Sequence, residues 1–162
     1  MIATLSLIIG KEREANALVD NIRGRKTAIE EAAARITNRP RVYYMISFGD
    51  AGDFTAGRGT FISSLIASAG GINTADSIAG WQFTVEALFH EEPDIILCGS
   101  GAGGMGGGSL EALRRTPPYN RLRAVREGRV YIVDNNLLDR IGPRNIEGLE
   151  TLARIFQGDI FP

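Results

Sequence analysis

Glu92-Pro93-Asp94-Ile95-Ile96-Leu97-Cys98, running into Gly99-Ser100-Gly101-Ala102-Gly103-Gly104-Met105-Gly106-Gly107-Gly108-Ser109, decides how this chain folds. Pro93 ends whatever helix precedes it, because the residue before a proline is pushed out of the helical region. Asp94 to Cys98 is then a short apolar run bounded by turn residues, which reads as a buried strand. The glycine loop over 99–108 leads into a helix from Ser109, with Ser109 and Glu111 placed where a capping side chain and a first-turn carboxylate are favourable. Strand, loop and helix in that order form the unit of a parallel α/β sheet.

The alternation extends in both directions. Upstream, Val42-Tyr43-Tyr44-Met45-Ile46 is a β-branched and aromatic run that predicts another buried strand. A loop with Gly49, Gly52, Gly57 and Gly59 follows, then a helix marked by Phe61, Ile62, Leu65, Ile66 and Ala69 and stopped by Gly70-Gly71. Thr84 is placed to cap a helix through Val85, Leu88 and Phe89. Downstream, Arg129 to Val133 predicts a third strand, and Ile146, Leu149, Leu152, Ala153 and Phe156 describe an amphipathic final helix. The first 36 residues are helical in pattern, with Ala15, Leu18, Val19, Ile22, Ile29, Ala33 and Ile36 on one face and Gly10 separating two helices. The expectation is an α/β fold, a small, mostly parallel sheet flanked by helices on both faces, with a helical segment over 1–38 and an α/β unit over 39–162.

Composition narrows the function classes. The chain has 162 residues, of which 44% are hydrophobic and 23% charged, enough to bury a core. Its 18 Lys plus Arg against 19 Asp plus Glu leave no basic excess of the kind a nucleic-acid surface needs. One cysteine, Cys98, excludes an internal disulfide framework and reads as a buried, inert thiol. No apolar stretch approaches the roughly 18 residues of a membrane span. The opening Met-Ile-Ala-Thr-Leu-Ser-Leu-Ile-Ile has no basic leader and no small-residue cleavage site, so it does not read as a signal peptide.

Catalytic motifs are sparse. Gly99-Ser100-Gly101-Ala102-Gly103-Gly104 satisfies the dinucleotide-binding G-x-G-x-x-G between a strand and a helix. With seven glycines in ten residues that match arises almost automatically, and the acidic residue expected about 20 positions later is Asp134, about 30 beyond Gly104. A nucleotide-dependent oxidoreductase domain remains the enzyme-class alternative. His90, in His-Glu-Glu-Pro, suits a solvated face better than a general base, and no serine sits in a nucleophile elbow. The chain does not read as an enzyme.

Four further motifs carry a resemblance. Gly57-Arg58-Gly59-Thr60-Phe61-Ile62 runs on to Leu65-Ile66 and Ala69-Gly70-Gly71-Ile72-Asn73. Trp81-Gln82-Phe83-Thr84-Val85-Glu86-Ala87-Leu88 continues to Glu92-Pro93-Asp94-Ile95-Ile96. Leu122-Arg123-Ala124-Val125 precedes Gly128-Arg129-Val130-Tyr131, and Arg140-Ile141-Gly142-Pro143-Arg144 opens the final helix. In this order the chain resembles the substrate-binding proteins of ABC importers for cobalamin, haem and ferric siderophores. The resemblance covers their Rossmann-like C-terminal lobe, and the first residues are similar to the end of the interlobe helix and the helix after it. It implies that the N-terminal lobe is absent, leaving an expressed fragment or, less favoured, a gene product with half a site.

The resemblance also implies roles. Glu86 matches a surface glutamate that docks onto arginines of the importer's membrane subunits, although a first-turn Glu also favours a helix by itself. Trp81, the sole tryptophan, is implied to contact ligand, with packing under its loop as the rival. Arg140 would meet an anionic chelate through its planar guanidinium, or else staple its loop to Asp139 or Asp134. Phe48, Phe54 and Met105 are expected on the same rim, and Arg144 at a helix start. Tyr44 and Tyr131 lie within strands and are expected in the core. No cofactor and no protein-held metal is expected, since a metal would arrive inside its chelator. The implied partners are a metal-chelate small molecule and membrane permease subunits, with no nucleic acid and with self-association of the lobe as a third reading. The implied location is the periplasm or the outer face of the cell membrane.

Overall fold

The computed structural model describes residues 2–49, 52–100 and 110–158. Two helices open the chain, α1 over Ile2–Ile9 and α2 over Glu12–Ala33, separated at Gly10, whose positive φ of 66° breaks the helix. The remaining elements, in order, are β1 Arg41–Met45, α3 Phe61–Ser68, β2 Ile72–Asn73, α4 Val85–Glu91, β3 Ile95–Gly99, α5 Leu110–Arg115, α6 Arg123–Arg126, β4 Val130–Val133, α7 Asn135–Leu138 and α8 Asn145–Gln157. The four strands form one sheet in the order β2-β1-β3-β4, and every pairing is parallel. The expected α/β architecture is therefore the observed one.

Alternation along the two central strands divides the core into two layers. Val42, Tyr44, Ile95 and Leu97 face one cluster, completed by α3, α8 and Ile29 of α2. Tyr43, Met45, Ile96 and Cys98 face the other, with Leu88, Leu113, Leu122 and Val125 from α4, α5, α6 and the residue before α6. Burial pushes the Cys98 thiol up to about 12, so it stays protonated and inert at neutral pH.

Short-range signals fix the helix ends. Thr60 caps α3 by accepting from the Ser63 N–H at 3.2 Å, and Thr84 caps α4 by accepting from the Ala87 N–H at 3.1 Å. After α3 the Gly70 N–H donates to the Ala67 carbonyl and the Gly71 N–H to the Ile66 carbonyl, with Gly70 at φ 96°. That is the Schellman arrangement, and a β-carbon at Gly70 would come within 2.5 Å of Ile36 Cδ1.

Three expectations are corrected. Tyr131 is not core. It lies on β4, which is paired on one side only, and is 37% exposed, with Ile132 beside it also exposed. Leu18, expected on the packed face of the opening helices, is exposed too. The segment from Asp134 to Pro143 is not all loop either, because α7 forms there and Asp134 caps it by accepting from the Asn136 N–H at 2.9 Å.

Candidate functional site

In a sheet ordered β2-β1-β3-β4, the chain leaves β1 to one side and returns on the other, so the connections after β1 and β3 part company at their carboxyl ends. That is where open α/β sheets bind ligands. The chain leaving β1 does not wander. The Ile46 N–H donates to the Phe54 carbonyl at 2.9 Å, Ser47 and Phe54 pair as an antiparallel bridge, and Ser47 Oγ donates to the Gly52 carbonyl at 2.7 Å.

The same segment pairs on its other edge with residues 78–83. The Thr55 N–H donates to the Trp81 carbonyl at 2.8 Å, the Phe83 N–H to the Asp53 carbonyl at 3.0 Å, and the Gly57 N–H to the Gly80 carbonyl at 2.9 Å. This approach is closest at Gly57, where a β-carbon would sit 2.6 Å from the Gly80 carbonyl oxygen and 2.7 Å from that of Ile78. Asn73 holds the other side of the ribbon, donating to the Ala56 carbonyl at 2.8 Å and to Asp76 at 3.0 Å. The Gly57 and Asn73 positions of the sequence motifs are thus explained by how they build the ribbon.

The ribbon brings Trp81 and Phe54 together. One hollow of about 250 Å³ is lined by Ile46, Phe61, Ile62, Trp81, Leu138 and Asp139. A second, of about 270 Å³, is lined by Ile46, Ser47, Phe54 and Trp81. They share Ile46 and Trp81, and Trp81 is 50% exposed, so its ring is a wall with a face open to solvent. Asp139 is held at the lip by Tyr44, whose phenol donates to it at 3.0 Å. Burial, with Asp139 adding to it, pushes the Tyr44 phenol far above its ordinary value, so it remains a donor.

The other expected site residues are placed differently. Arg140 is exposed next to Asp139 but lines neither hollow, and among the described residues its guanidinium forms no ion pair with Asp134 or Asp139. Phe48 turns to the opposite side and packs edge-on against Tyr119, with ring centroids 5.1 Å apart. Glu86 lies exposed in the first turn of α4. Met105 and residues 101–109 of the glycine loop lie outside the described residues. Gly99, the first glycine of that loop, has a packing reason to lack a side chain, since a β-carbon there would meet Asn135 Cβ at 3.1 Å. Arg144 precedes α8 and forms an exposed 3.5 Å pair with Glu147. His90 is fully on the solvent side, with its side chain 87% exposed.

Three positions that sequence reasoning passed over organise the site. Asn145 is buried, donates to the Leu137 and Arg140 carbonyls at 2.6 and 2.9 Å, and accepts from the Gly142 N–H at 2.5 Å. It shapes the turn that carries Asp139 and Arg140, and the available signal was an Asn at the first position of an amphipathic helix. Asp53 accepts from the Tyr119 phenol at 2.6 Å, and Tyr119 in turn accepts from the Gly49 N–H at 3.0 Å. Adjacent residues of an extended segment point to opposite faces, so Asp53 is anchored below while Phe54 faces the hollow.

Burial raises the Asp53 pKa, and the nearby Glu86 charge raises it further, against the lowering effect of the Tyr119 hydrogen bond. A carboxyl raised on folding contributes stability below its unfolded value, near pH 4, and loses it as pH climbs through the folded value. Asp53→Asn keeps an oxygen for Tyr119 and removes the titration. Its stability relative to the parent should therefore increase between about pH 3 and about pH 7, as read by urea unfolding at the two ends. A relative stability that falls over this range would contradict the assignment.

Among the described residues no three His, Cys, Asp or Glu side chains cluster as a metal-ligand set, and no helix is long and apolar enough to cross a membrane. A family model described as periplasmic binding protein matches residues 1–137. The chain is similar to an uncharacterised ABC transporter substrate-binding lipoprotein of Bacillus subtilis (strain 168), with 31% identity over 154 residues, 94% of this chain and 47% of that protein. It is similar to a cobalamin-binding protein of Halobacterium salinarum (strain ATCC 29341 / DSM 671 / R1), at 29% identity over 95% of this chain and 42% of that one. Among solved structures, the periplasmic heme-binding protein RhuT of Roseiflexus sp. RS-1 superposes with a TM-score of 0.83 at 28% identity, covering 99% of this chain and 62% of that one. The chain thus spans about half the length of the curated relatives it matches.

Proposed function

The chain belongs to the periplasmic binding protein family, and from that premise we propose that it captures a metal chelate (haem, a corrinoid or a ferric siderophore) for delivery to an ABC importer. One observation carries the reading: the paired apolar hollows that share Trp81 and Ile46, set at the carboxyl edge of a parallel sheet where its strand order reverses. Aromatic and aliphatic walls suit the flat or apolar body of a chelate. The names of its relatives, heme-binding, cobalamin-binding and ABC substrate-binding, point to the same ligand class.

In this reading residues 39–162 are one lobe, residues 1–38 lead into it, and a second lobe closes over the hollows. Arg140, exposed at the lip, is available to an anionic periphery of the ligand, and Phe54 completes the wall. Met105 is proposed as a further ligand contact. Glu86, solvent-facing on a rigid helix start, is the docking carboxylate for basic groups on the membrane subunits, an arrangement that governs encounter rate more than affinity. The function is binding and hand-over at the outer face of the membrane, without a catalysed reaction.

The test is Trp81 fluorescence during titration with hemin, cyanocobalamin, ferrichrome and NAD. Coloured chelates quench a neighbouring indole, and Trp81 is the sole reporter. Saturable quenching by one chelate and none by NAD is the expected result. Saturation with NAD alone would replace this reading with the oxidoreductase one. Silence with every compound would mean that this chain by itself does not capture a chelate.

A further inference from the structure

The two hollows that share Trp81 differ in charge. The hollow of about 270 Å³ is walled by Ile46, Ser47, Phe54 and Trp81, none of them ionisable. The hollow of about 250 Å³ is walled by Ile46, Phe61, Ile62, Trp81 and Leu138, with Asp139 as the single charged side chain of its lining. Arg140 follows Asp139 in sequence but lines neither hollow. The charge that an entering group meets beside Trp81 is therefore that of a carboxylate.

This carboxylate is held in place. Asp139 closes helix α7, where its backbone N–H donates to the Asn135 carbonyl at 2.7 Å. Its Oδ1 accepts from the Tyr44 phenol at 3.0 Å, and Tyr44 is anchored in β1 with only 1% of its surface exposed. Gly99 of β3 leaves room for that contact, since a β-carbon there would lie 3.3 Å from the phenol oxygen. Among the described residues Oδ2 of Asp139 has no hydrogen-bond or ion-pair partner. A carboxylate is an acceptor at both oxygens, so one oxygen positions the group and the other is left for a donor from outside.

We infer that Asp139 selects the edge of the chelate that enters beside Trp81: an edge bearing N–H donors, carboxamide or ammonium, and not one bearing carboxylates. The inference rests on the chelate reading of the hollows and narrows it. Five apolar side chains surround the one charge. A ligand carboxylate pressed against Asp139 there would lose its hydration with no cation to replace it, and would meet a like charge. An N–H donor in the same place gains a charge-assisted hydrogen bond. The peripheral carboxamides of a corrinoid and the ammonium of a cationic ferric hydroxamate both meet this requirement, and the propionates of haem do not. Arg140, outside the hollow, faces a different part of the ligand.

Collisional quenching of Trp81 reads the charge of the hollow without any bound chelate, because Trp81 is the sole tryptophan and is 50% exposed. Caesium, iodide and acrylamide serve as the cationic, anionic and neutral quenchers at constant ionic strength. Asp139→Asn keeps an oxygen for Tyr44 and removes the charge. It should lower the ratio of caesium to iodide quenching constants by about twofold at roughly 0.1 M ionic strength, with acrylamide quenching unchanged. Asp20→Asn, the same charge loss at an exposed site on α2 that lines neither hollow, should leave the ratio at the parent's value. An unchanged ratio in Asp139→Asn, or an equal fall in Asp20→Asn, overturns the inference whether or not a chelate binds. A second arm titrates cyanocobalamin for carboxamides, ferrioxamine B for an ammonium and hemin for carboxylates. Asp139→Asn should weaken whichever of the first two binds by about tenfold and should not weaken hemin. Weakening of hemin alone overturns the inference. If no chelate binds the parent, the capture reading fails on its own test, and the quenching ratio still decides the role of Asp139.

Discussion

Gly57→Ala should lower the unfolding free energy by roughly 2–4 kcal/mol, a large loss for a single methyl group. A β-carbon at Gly57 would come within 2.6 and 2.7 Å of two carbonyl oxygens, those of Gly80 and Ile78. Both belong to backbone, so no side-chain rotation relieves the clash. The ribbon must instead part from residues 78–83, losing the hydrogen bonds from Gly57 and Arg58 to that strand. The effect therefore reaches beyond stability, because Phe54 and Trp81 are held together by the same ribbon. Urea unfolding followed by circular dichroism should show the lower midpoint, and Trp81 emission should shift even below the transition. Gly59→Ala is the control. Gly59 has φ 81° but open space around its β-carbon position, so its cost is the backbone strain alone, roughly 1–2 kcal/mol. Equal effects of the two substitutions would show that close approach at Gly57 is not what the glycine serves.

The two central strands were legible because each is buried on both faces, and burial on both faces demands an unbroken apolar run. The Thr84 cap and the Gly70-Gly71 stop were legible because they act over one helical turn, whereas the Thr60 cap on α3 emerged only from the structure. What escaped depends on partners distant in sequence. Strand β2 is two residues long, and only its register against β1, Arg41 to Ile72 and Val42 to Asn73, makes it a strand. Helices α6 and α7 are four residues each, too short to show a period. Tyr131 was expected in the core because its run resembles the other strands, but whether a strand lies at an edge is a property of the topology and not of its own composition. The same limit applies to the site. Trp81 and Phe54 could each be picked out as loop aromatics, and the resemblance set both on one rim. That they share a hollow, while Phe48 turns away to Tyr119 and Arg140 stays outside, follows from hydrogen bonds between residues 53–58 and 78–83. The glycine at 57 was visible in the sequence, but its purpose was not.

Leu97→Ala should cost roughly 3–5 kcal/mol, the range in which a buried leucine leaves a cavity its neighbours cannot fill. Leu97 is fully buried in β3, paired in register with Tyr44 on one side and Tyr131 on the other. Strands on both sides fix the backbone, so collapse around the missing atoms is limited and the cavity term stays large. The loss is a major part of the total stability of a domain of this kind, 5–15 kcal/mol. Ile132, on β4 in register with Cys98, is a comparable aliphatic side chain already 53% in water. Ile132→Ala should therefore cost no more than about 1 kcal/mol. The pair separates burial from strand membership, since both residues sit in the same sheet and differ in what covers them. Denaturant midpoints for the two variants, with the slope of the transition checked for constancy, would decide it. Near-equal losses would mean that Ile132 is covered in solution at the sheet edge.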